Sequence, residues 1–410
     1  MRALLITVGT GETVEDGIAF SINTLNPDAV YCLCTEVSLA KLPLVRERLE
    51  RPELIKILPC LVRDPADFDR TYADCADALA RAVADGFEPE SIAADFTGGT
   101  KVMAAALVAA AADGGVQRYI YIDGPRCGPG MRVVSSHEQA RVTRAGTLSA
   151  VRDIRLAREL FDRCQWDAAI ALAQQAMGAC AIGPLCEQAQ AIETLADCYR
   201  SWDRFLHGEA WGKLCAIETT AAQAIGASLD ANRQFLHILG KSEIEPRGDS
   251  GHALVADLLN NAARRGEQGE WDDALARLYR ATELLAQVRL ASRADSIDTS
   301  DCRLEQVPDA LRDDWRRRPG PDGTFKIGLH DAYRLLAALG DPLGRWYLED
   351  RRTQNALFQR NQSILAHGFR PARNEDAAVL LETLRERLVA AEPRAEGWMQ
   401  QGALVKLGTG

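Results

Sequence analysis

Over roughly its first 140 residues the chain alternates short β-rich runs with helical runs, and after Ser149 the strand signals stop. That switch constrains the fold more than any single motif. The candidate strands are Ala3–Val8, Ala29–Cys34, Ile55–Leu58, Ile92–Phe96, Tyr119–Ile122 and Arg132–Ser135. The helical runs between them are Thr13–Leu25, Leu39–Leu49, Asp67–Ala84 and Lys101–Asp113. Strands alternating with helices of this length imply βαβ units and a mostly parallel, doubly wound, Rossmann-like sheet. The strands ALLITV and YIYID are apolar throughout, as a sheet covered on both faces requires.

The rest of the chain reads as amphipathic helices. These are Arg152–Phe161, Trp166–Met177, Leu185–Arg204 and Trp211–Leu239, then His252–Arg265, Trp271–Ala291, Leu329–Leu339, Leu343–Ala366 and Glu375–Ala391. Two segments resemble each other, FDRCQWDAAI from Phe161 and GEQGEWDDAL from Gly266. Each is a turn followed by a Trp-Asp pair that opens a helix, with the acid placed to favour the helix dipole. Residues 241–251 (KSEIEPRGDSG) are polar and carry Pro and Gly, so a boundary is placed there. Asp295–Thr324, with Pro308, Pro319 and Gly320, reads as an irregular insertion holding a short helix. The predicted parts are therefore 1–147, a Rossmann-like ligand-sensing domain; 148–248, a helical linker domain; and 249–410, a helical effector domain.

No uncharged apolar run reaches the roughly 18 residues a membrane helix needs; the longest is Met103–Ala112. MRALLITVGTGE reads as a first strand rather than a leader peptide. Eleven cysteines, without a CxxC pair or zinc spacing, point to reduced thiols, a cytoplasmic setting and no structural metal. The net charge of −10 does not draw nucleic acid to the whole surface, so contact with RNA must be local. One stretch reverses the sign: between Asp341 and Arg373 six arginines face three acids.

Two loops leave predicted strands at one sheet edge. Thr97-Gly98-Gly99-Thr100-Lys101 follows the fourth strand and opens a helix. Its glycines let backbone approach a ligand, the helix end suits an anion, and Thr100 and Lys101 add donors. Gly9-Thr10-Gly11 leaves the first strand, and in open α/β sheets ligands bind outside that carboxyl edge. The Thr97–Lys101 loop is not a P-loop, and Gly9-Thr10-Gly11 lacks the third glycine of a dinucleotide fingerprint.

The segment Arg360-Asn361-Gln362-Ser363-Ile364-Leu365-Ala366-His367-Gly368 is the candidate for chemistry. At about 100° per residue, a spacing of seven brings Arg360 and His367 two turns round to nearly one helix face. Histidine moves protons near neutral pH and arginine forks a phosphate. RNA carries its own nucleophile in the 2′-hydroxyl, so no metal is required. Similar Arg/His spacings occur at Arg132/His137, Arg200/His207 and Arg247/His252. Asn361 beside the arginine, and Gly368 as an expected helix stop, distinguish this pair.

Taken together, these residues resemble the CRISPR-associated CARF–HEPN ribonucleases of type III systems. The motif DFTGGTKVM from Asp95 looks like the CARF ligand motif, and Arg360–His367 looks like the HEPN motif. The helix Trp271–Ser292 is similar to the one that precedes the HEPN site in one branch of the family. The resemblance implies a homodimer that binds a cyclic oligoadenylate, tetra- or hexa-adenylate, as allosteric activator across its two-fold axis. It implies a composite HEPN site that cuts single-stranded RNA without metal, leaving 2′,3′-cyclic phosphate and 5′-hydroxyl ends. Arg360 and His367 would be catalytic with Asn361 beside them; Gly9, Thr10, Gly11 and Thr97, Gly98, Gly99, Thr100, Lys101 would contact the activator. Some relatives also degrade their activator, and Thr10 is the residue to suspect for that. No membrane and no DNA partner is expected. The rival is a ligand-gated helical interaction or regulatory protein, which in its DNA-binding form needs a basic recognition helix that the sequence lacks.

Overall fold

The computed structural model describes residues 2–123, 126–127, 132–133, 139–144, 146–180, 183–240, 248–320, 322–366 and 368–408. The chain forms two compact units, one of Met1–Asp153 with Gln175–Cys186, the other of Ile154–Gln174 with Glu187–Gly410.

In the first unit, strands β1 (Ala3–Val8), β2 (Ala29–Cys34), β3 (Lys56–Leu61), β4 (Ile92–Asp95) and β5 (Arg118–Asp123) run in the order β3-β2-β1-β4-β5. All are parallel: β1 pairs with β2 from Ala3↔Ala29 and with β4 from Ala3↔Ile92. Helices α1 (Val14–Leu25) and α2 (Leu42–Glu47) cover one face, and α3 (Phe68–Ala84) and α4 (Lys101–Asp113) the other. Successive strand residues alternate between the two cores. Leu4, Ile6 and Val8 pack with Ile18 and Ile22, while Ala3 and Leu5 pack with Leu79 and Leu107. This is the doubly wound sheet expected from the alternation of strands and helices.

Two strand expectations are corrected. The third strand runs on through Pro59, which is tolerated because β3 is the sheet edge. The last strand of the sheet is Gln139–Arg144, antiparallel to β5, and not Arg132–Ser135. Arg132–Val133 instead pairs with Arg126–Cys127 in a separate ribbon, and residues 134–138 lie outside the described residues. Gln139–Arg144 sits on the open edge with Val142 exposed, so it lacks the apolar run that marks a central strand.

In the second unit, Gly248–Glu267 and Trp271–Ala291 form a helical hairpin packed against Asn374–Ala391; Leu329–Ala338 packs on Trp271–Ala291. The two similar turns of the sequence share a backbone device: Cys164 and Gly269, each two residues before its Trp, are both left-handed, with φ 58 and 80. The run Trp211–Leu239 is three helices, His207–Ala216, Thr219–Ala224 and Asp230–Leu239, because Ile217 turns extended and Gly226 is left-handed. The insertion holds the short helix Asp309–Trp315 and a ribbon of Cys302–Arg303 with Thr324–Phe325, with Trp315 buried edge-on to Phe325. No helix of the described residues is long and apolar enough to cross a membrane.

Candidate functional site

The strand order reverses between β1 and β4, and it is in the crevice outside the carboxyl ends of the strands at such a switch point that open α/β sheets bind ligands. Both candidate ligand loops border it, since Ile6 lies opposite Asp95. They are packed backbone to backbone. The Thr7 hydroxyl donates to the Gly98 carbonyl at 2.7 Å, and a Cβ on Gly9 would meet the Gly99 nitrogen at 3.1 Å. Gly99 has φ 75, a left-handed conformation that favours glycine. Gly11 has open space around it, and Thr10 and Gly11 are exposed.

The threonines of the second loop carry structural duties. Thr100 caps α4, accepting the Met103 N–H at 3.1 Å and donating to the Pro65 carbonyl. Thr97 accepts the Ile122 N–H at 2.8 Å. Both side chains are therefore engaged by the turn itself. Asp95 anchors the loop from below, accepting from Ser21 and from the Thr97 N–H. Burial pushes its carboxyl above the usual range, against those two hydrogen bonds.

Helix heads distinguish which loop can take an anion. The head of α1 already holds carboxylates, Glu15 and Asp16; Glu15 is lowered by a bond from its own backbone N–H and by Lys41. The first turn of α4 has no acid, and exposed Lys101 has no carboxylate partner among the described residues. An anion at the crevice would therefore meet the free N–H groups and positive end of α4.

In the second unit, the expected long helix Leu343–Ala366 is two helices, Pro342–Glu349 and Arg351–Asn361, split at Asp350. The second stops at Asn361, so the helix that carries Arg360 ends six residues short of position 367. The polar run Asn361-Gln362-Ser363 competes with helix, and the chain curls back through Ser363, which bridges to Arg370. The Gly368 N–H donates to the Ser363 carbonyl at 3.0 Å. A Cβ on Gly368 would lie 1.7 Å from the Gln362 carbonyl oxygen, so this glycine closes the loop and is not the helix stop. His367 lies outside the described residues.

Arg360 is half-buried, its guanidinium 4.5 Å from the Tyr279 ring centroid and donating one N–H to the Asn361 side-chain Oδ1 at 3.2 Å. Among the described residues, none of the six arginines between 345 and 373 pairs with a carboxylate. Asp341 is taken by Arg289, and Asp350 by the Arg352 N–H and Thr353. Beside Arg360 the surface is apolar: Phe358, Ile364, Leu365 and Phe369 are exposed, Phe369 at 94%. The arrangement can grip a phosphate from Arg360.

Residues 245–389 match the family model described as the Csm6 HEPN domain, a span that takes in both Tyr279 and Arg360–His367. The chain is 28% identical over 405 residues to the CRISPR system endoribonuclease Csm6 of Thermus thermophilus, covering 90% of this chain and 81% of that one. Residues 245–389 thus carry a HEPN domain of the Csm6 kind, and the chain is similar along most of its length to a CRISPR-associated endoribonuclease. The fold agrees: Enterococcus italicus Csm6 bound to cyclic hexa-2′-fluoro-hexa-dAMP aligns over 98% of this chain and 99% of that one, with TM-score 0.57 at 13% identity. The helices of 245–389 are the HEPN part, and the parallel-sheet unit has the Rossmann-like fold expected of a CARF part. Sequence reasoning missed Tyr279 in the HEPN part and the anchoring role of Asp95 in the CARF part. No spacing rule joins residues 279 and 360; a buried Asp at a strand end, ahead of a Gly-Gly turn, was the available signal for Asp95.

Proposed function

We propose that this chain is an endoribonuclease that a cyclic oligoadenylate switches on, and that it cuts single-stranded RNA without a metal. The match of 245–389 to the Csm6 HEPN model, enclosing Arg360–His367, carries the reading. Arg360 holds the scissile phosphate, with Asn361 steadying it, and its lack of a carboxylate partner among the described residues suits that role. His367 moves the proton. The RNA 2′-oxygen attacks phosphorus, the bond to the 5′-oxygen breaks, and that oxygen takes a proton. The ends are then a 2′,3′-cyclic phosphate and a 5′-hydroxyl. DNA, lacking the 2′-hydroxyl, is not cut. The arginines from 345 to 373, without carboxylate partners among the described residues, give a locally basic path for a single strand on an acidic chain.

The activator's phosphates sit at Gly9–Gly11 and Thr97–Lys101, on the α4 end that no acid occupies. Activation requires that the activator bind the active form more tightly than the resting one. The working unit is a cytoplasmic homodimer, with the exposed Ile364, Leu365 and Phe369 beside the site supplying contact area for a second copy. The functional parts are 1–147 (sensor), 148–248 (linker) and 249–410 (nuclease).

The test is cleavage of a fluorogenic single-stranded RNA in EDTA, with cyclic tetra-adenylate, cyclic hexa-adenylate or neither. The hexa-adenylate analogue held by the Enterococcus protein makes that ring the first to try. Wild type should cut with one ring only, and His367→Ala and Arg360→Ala should not cut. Absence of cleavage with either ring would overturn the gated-ribonuclease reading and leave a ligand-gated regulatory protein in its place.

A further inference from the structure

We infer that Tyr279 is a positioning residue for Arg360, its ring holding the guanidinium by the flat face. The inference rests on the reading of Arg360 as the phosphate-binding residue. Tyr279 lies on Trp271–Ala291 and Arg360 on the last turn of Arg351–Asn361, and these helices pack together. The guanidinium carbon stands 4.5 Å from the ring centroid. A guanidinium is planar, and all five of its donors point outward in the plane.

The choice of partner matters for that geometry. A carboxylate would engage two of those donors and cancel the charge. An aromatic face attracts the cation through its quadrupole and engages none of them. Asn361 takes one N–H of Arg360 at 3.2 Å, and no carboxylate takes another among the described residues. The nearest acid along the tyrosine's own helix, Glu283, is bound to Arg280 at 3.4 Å. Tyr279 is itself half-buried. Burial first, and Glu283 second, push its phenol above the ordinary value, so the ring stays neutral and does not compete with phosphate as an anion. Arg360 is thus fixed in place while a forked edge stays open to a phosphate.

The test compares wild type, Tyr279→Phe, Tyr279→Leu and Arg360→Ala, with activator saturating and RNA varied. Tyr279→Phe keeps the ring and should hold kcat within about twofold of wild type; Tyr279→Leu should lower kcat roughly tenfold with KM and melting temperature unchanged. Tyr279→Met, which fills similar space without a ring, replaces the leucine variant if that one does not fold. An unchanged kcat in the ringless variants overturns the inference. A fall in Tyr279→Phe as large as in Tyr279→Leu also overturns it, because the hydroxyl would then be the working group. So does a raised KM at unchanged kcat, which would make Tyr279 a contact for RNA. Arg360→Ala separates the two levels: if it stays active, the site reading itself fails; if it is inactive while Tyr279→Leu keeps the wild-type kcat, only the role of Tyr279 fails.

Discussion

A methyl group at Gly98 would sit 2.5 Å from the Thr7 carbonyl oxygen, whereas one at Gly11 would meet nothing within 4 Å. These two glycines of the candidate ligand crevice therefore answer different needs. Gly98 lets two backbone loops touch at the end of the central strand, and a rigid carbonyl cannot move aside for a side chain. Gly98→Ala should cost about 1–3 kcal/mol of stability by overpacking. Gly11 has neither a close neighbour nor a left-handed φ, so Gly11→Ala should leave stability unchanged or raise it by up to about 1 kcal/mol. Thermal melting of the two variants checks the pair of expectations; equal losses would mean that the loops are not packed as described. If Gly11 is open for the approach of an activator, Gly11→Ala should also weaken cyclic oligoadenylate binding at unchanged stability, which titration calorimetry reads directly.

At the level of elements, the helix that delivers Arg360 depends on a single acid. Asp350 ends Pro342–Glu349 in an extended conformation, then caps Arg351–Asn361 by accepting the Arg352 N–H at 3.0 Å and the Thr353 hydroxyl at 2.9 Å. Asp350→Ala should cost about 1 kcal/mol, and Asp350→Asn or Asp350→Ser should restore most of it. Urea unfolding of the three variants distinguishes a cap from a mere surface charge, since a surface charge would not be replaced by Ser. The same acid shows where sequence reading stopped. An Asp ahead of a helical run is a start signal, but here it stands inside a longer amphipathic pattern, so the two helices read as one. The error carried to the site: the face expected to join Arg360 and His367 needs a helix that runs past Asn361, where it ends. What was legible was what burial writes into sequence. Strands β1 and β2 are covered on both sides and apolar throughout, and their order follows from the helices between them. The exposed edge strand Gln139–Arg144 carries no such pattern. Thr97 and Thr100 are engaged by Ile122 and Pro65, and Arg360 by Tyr279, partners too remote in sequence for any periodicity to register.

On the scale of the whole molecule, all seven tryptophans, from Trp166 to Trp398, fall in the helical unit and none in the sheet unit. Tryptophan fluorescence therefore reports the folding of the helical unit alone, and that unit is built around a buried charge. Asp203 accepts from Arg264 at 2.9 Å, from Arg265, from the Trp166 indole at 3.1 Å and from Asn261 at 3.2 Å. Arg264 is itself buried, so Asp203→Ala strands a cation away from water and should cost about 3–5 kcal/mol. The pH dependence has a definite sign. Burial alone would raise the Asp203 carboxyl, but Arg264 and Arg265 outweigh it and hold the carboxyl below its ordinary value. A carboxyl lowered on folding contributes its stability fully above the unfolded carboxyl range, and loses it as pH falls through the lowered value. The fluorescence-detected midpoint of wild type should therefore fall on acidification, while that of Asp203→Ala, already low at neutral pH, should fall less, so that the two converge. Parallel curves would show that Asp203 is not the group that titrates. A midpoint unmoved by Asp203→Ala would show that the ion cluster does not hold the helices together. In that case the aromatic packing of Phe161, Trp166 and Tyr199, with ring centroids 5.2 to 5.7 Å apart, would be left as the support of the turn at Cys164.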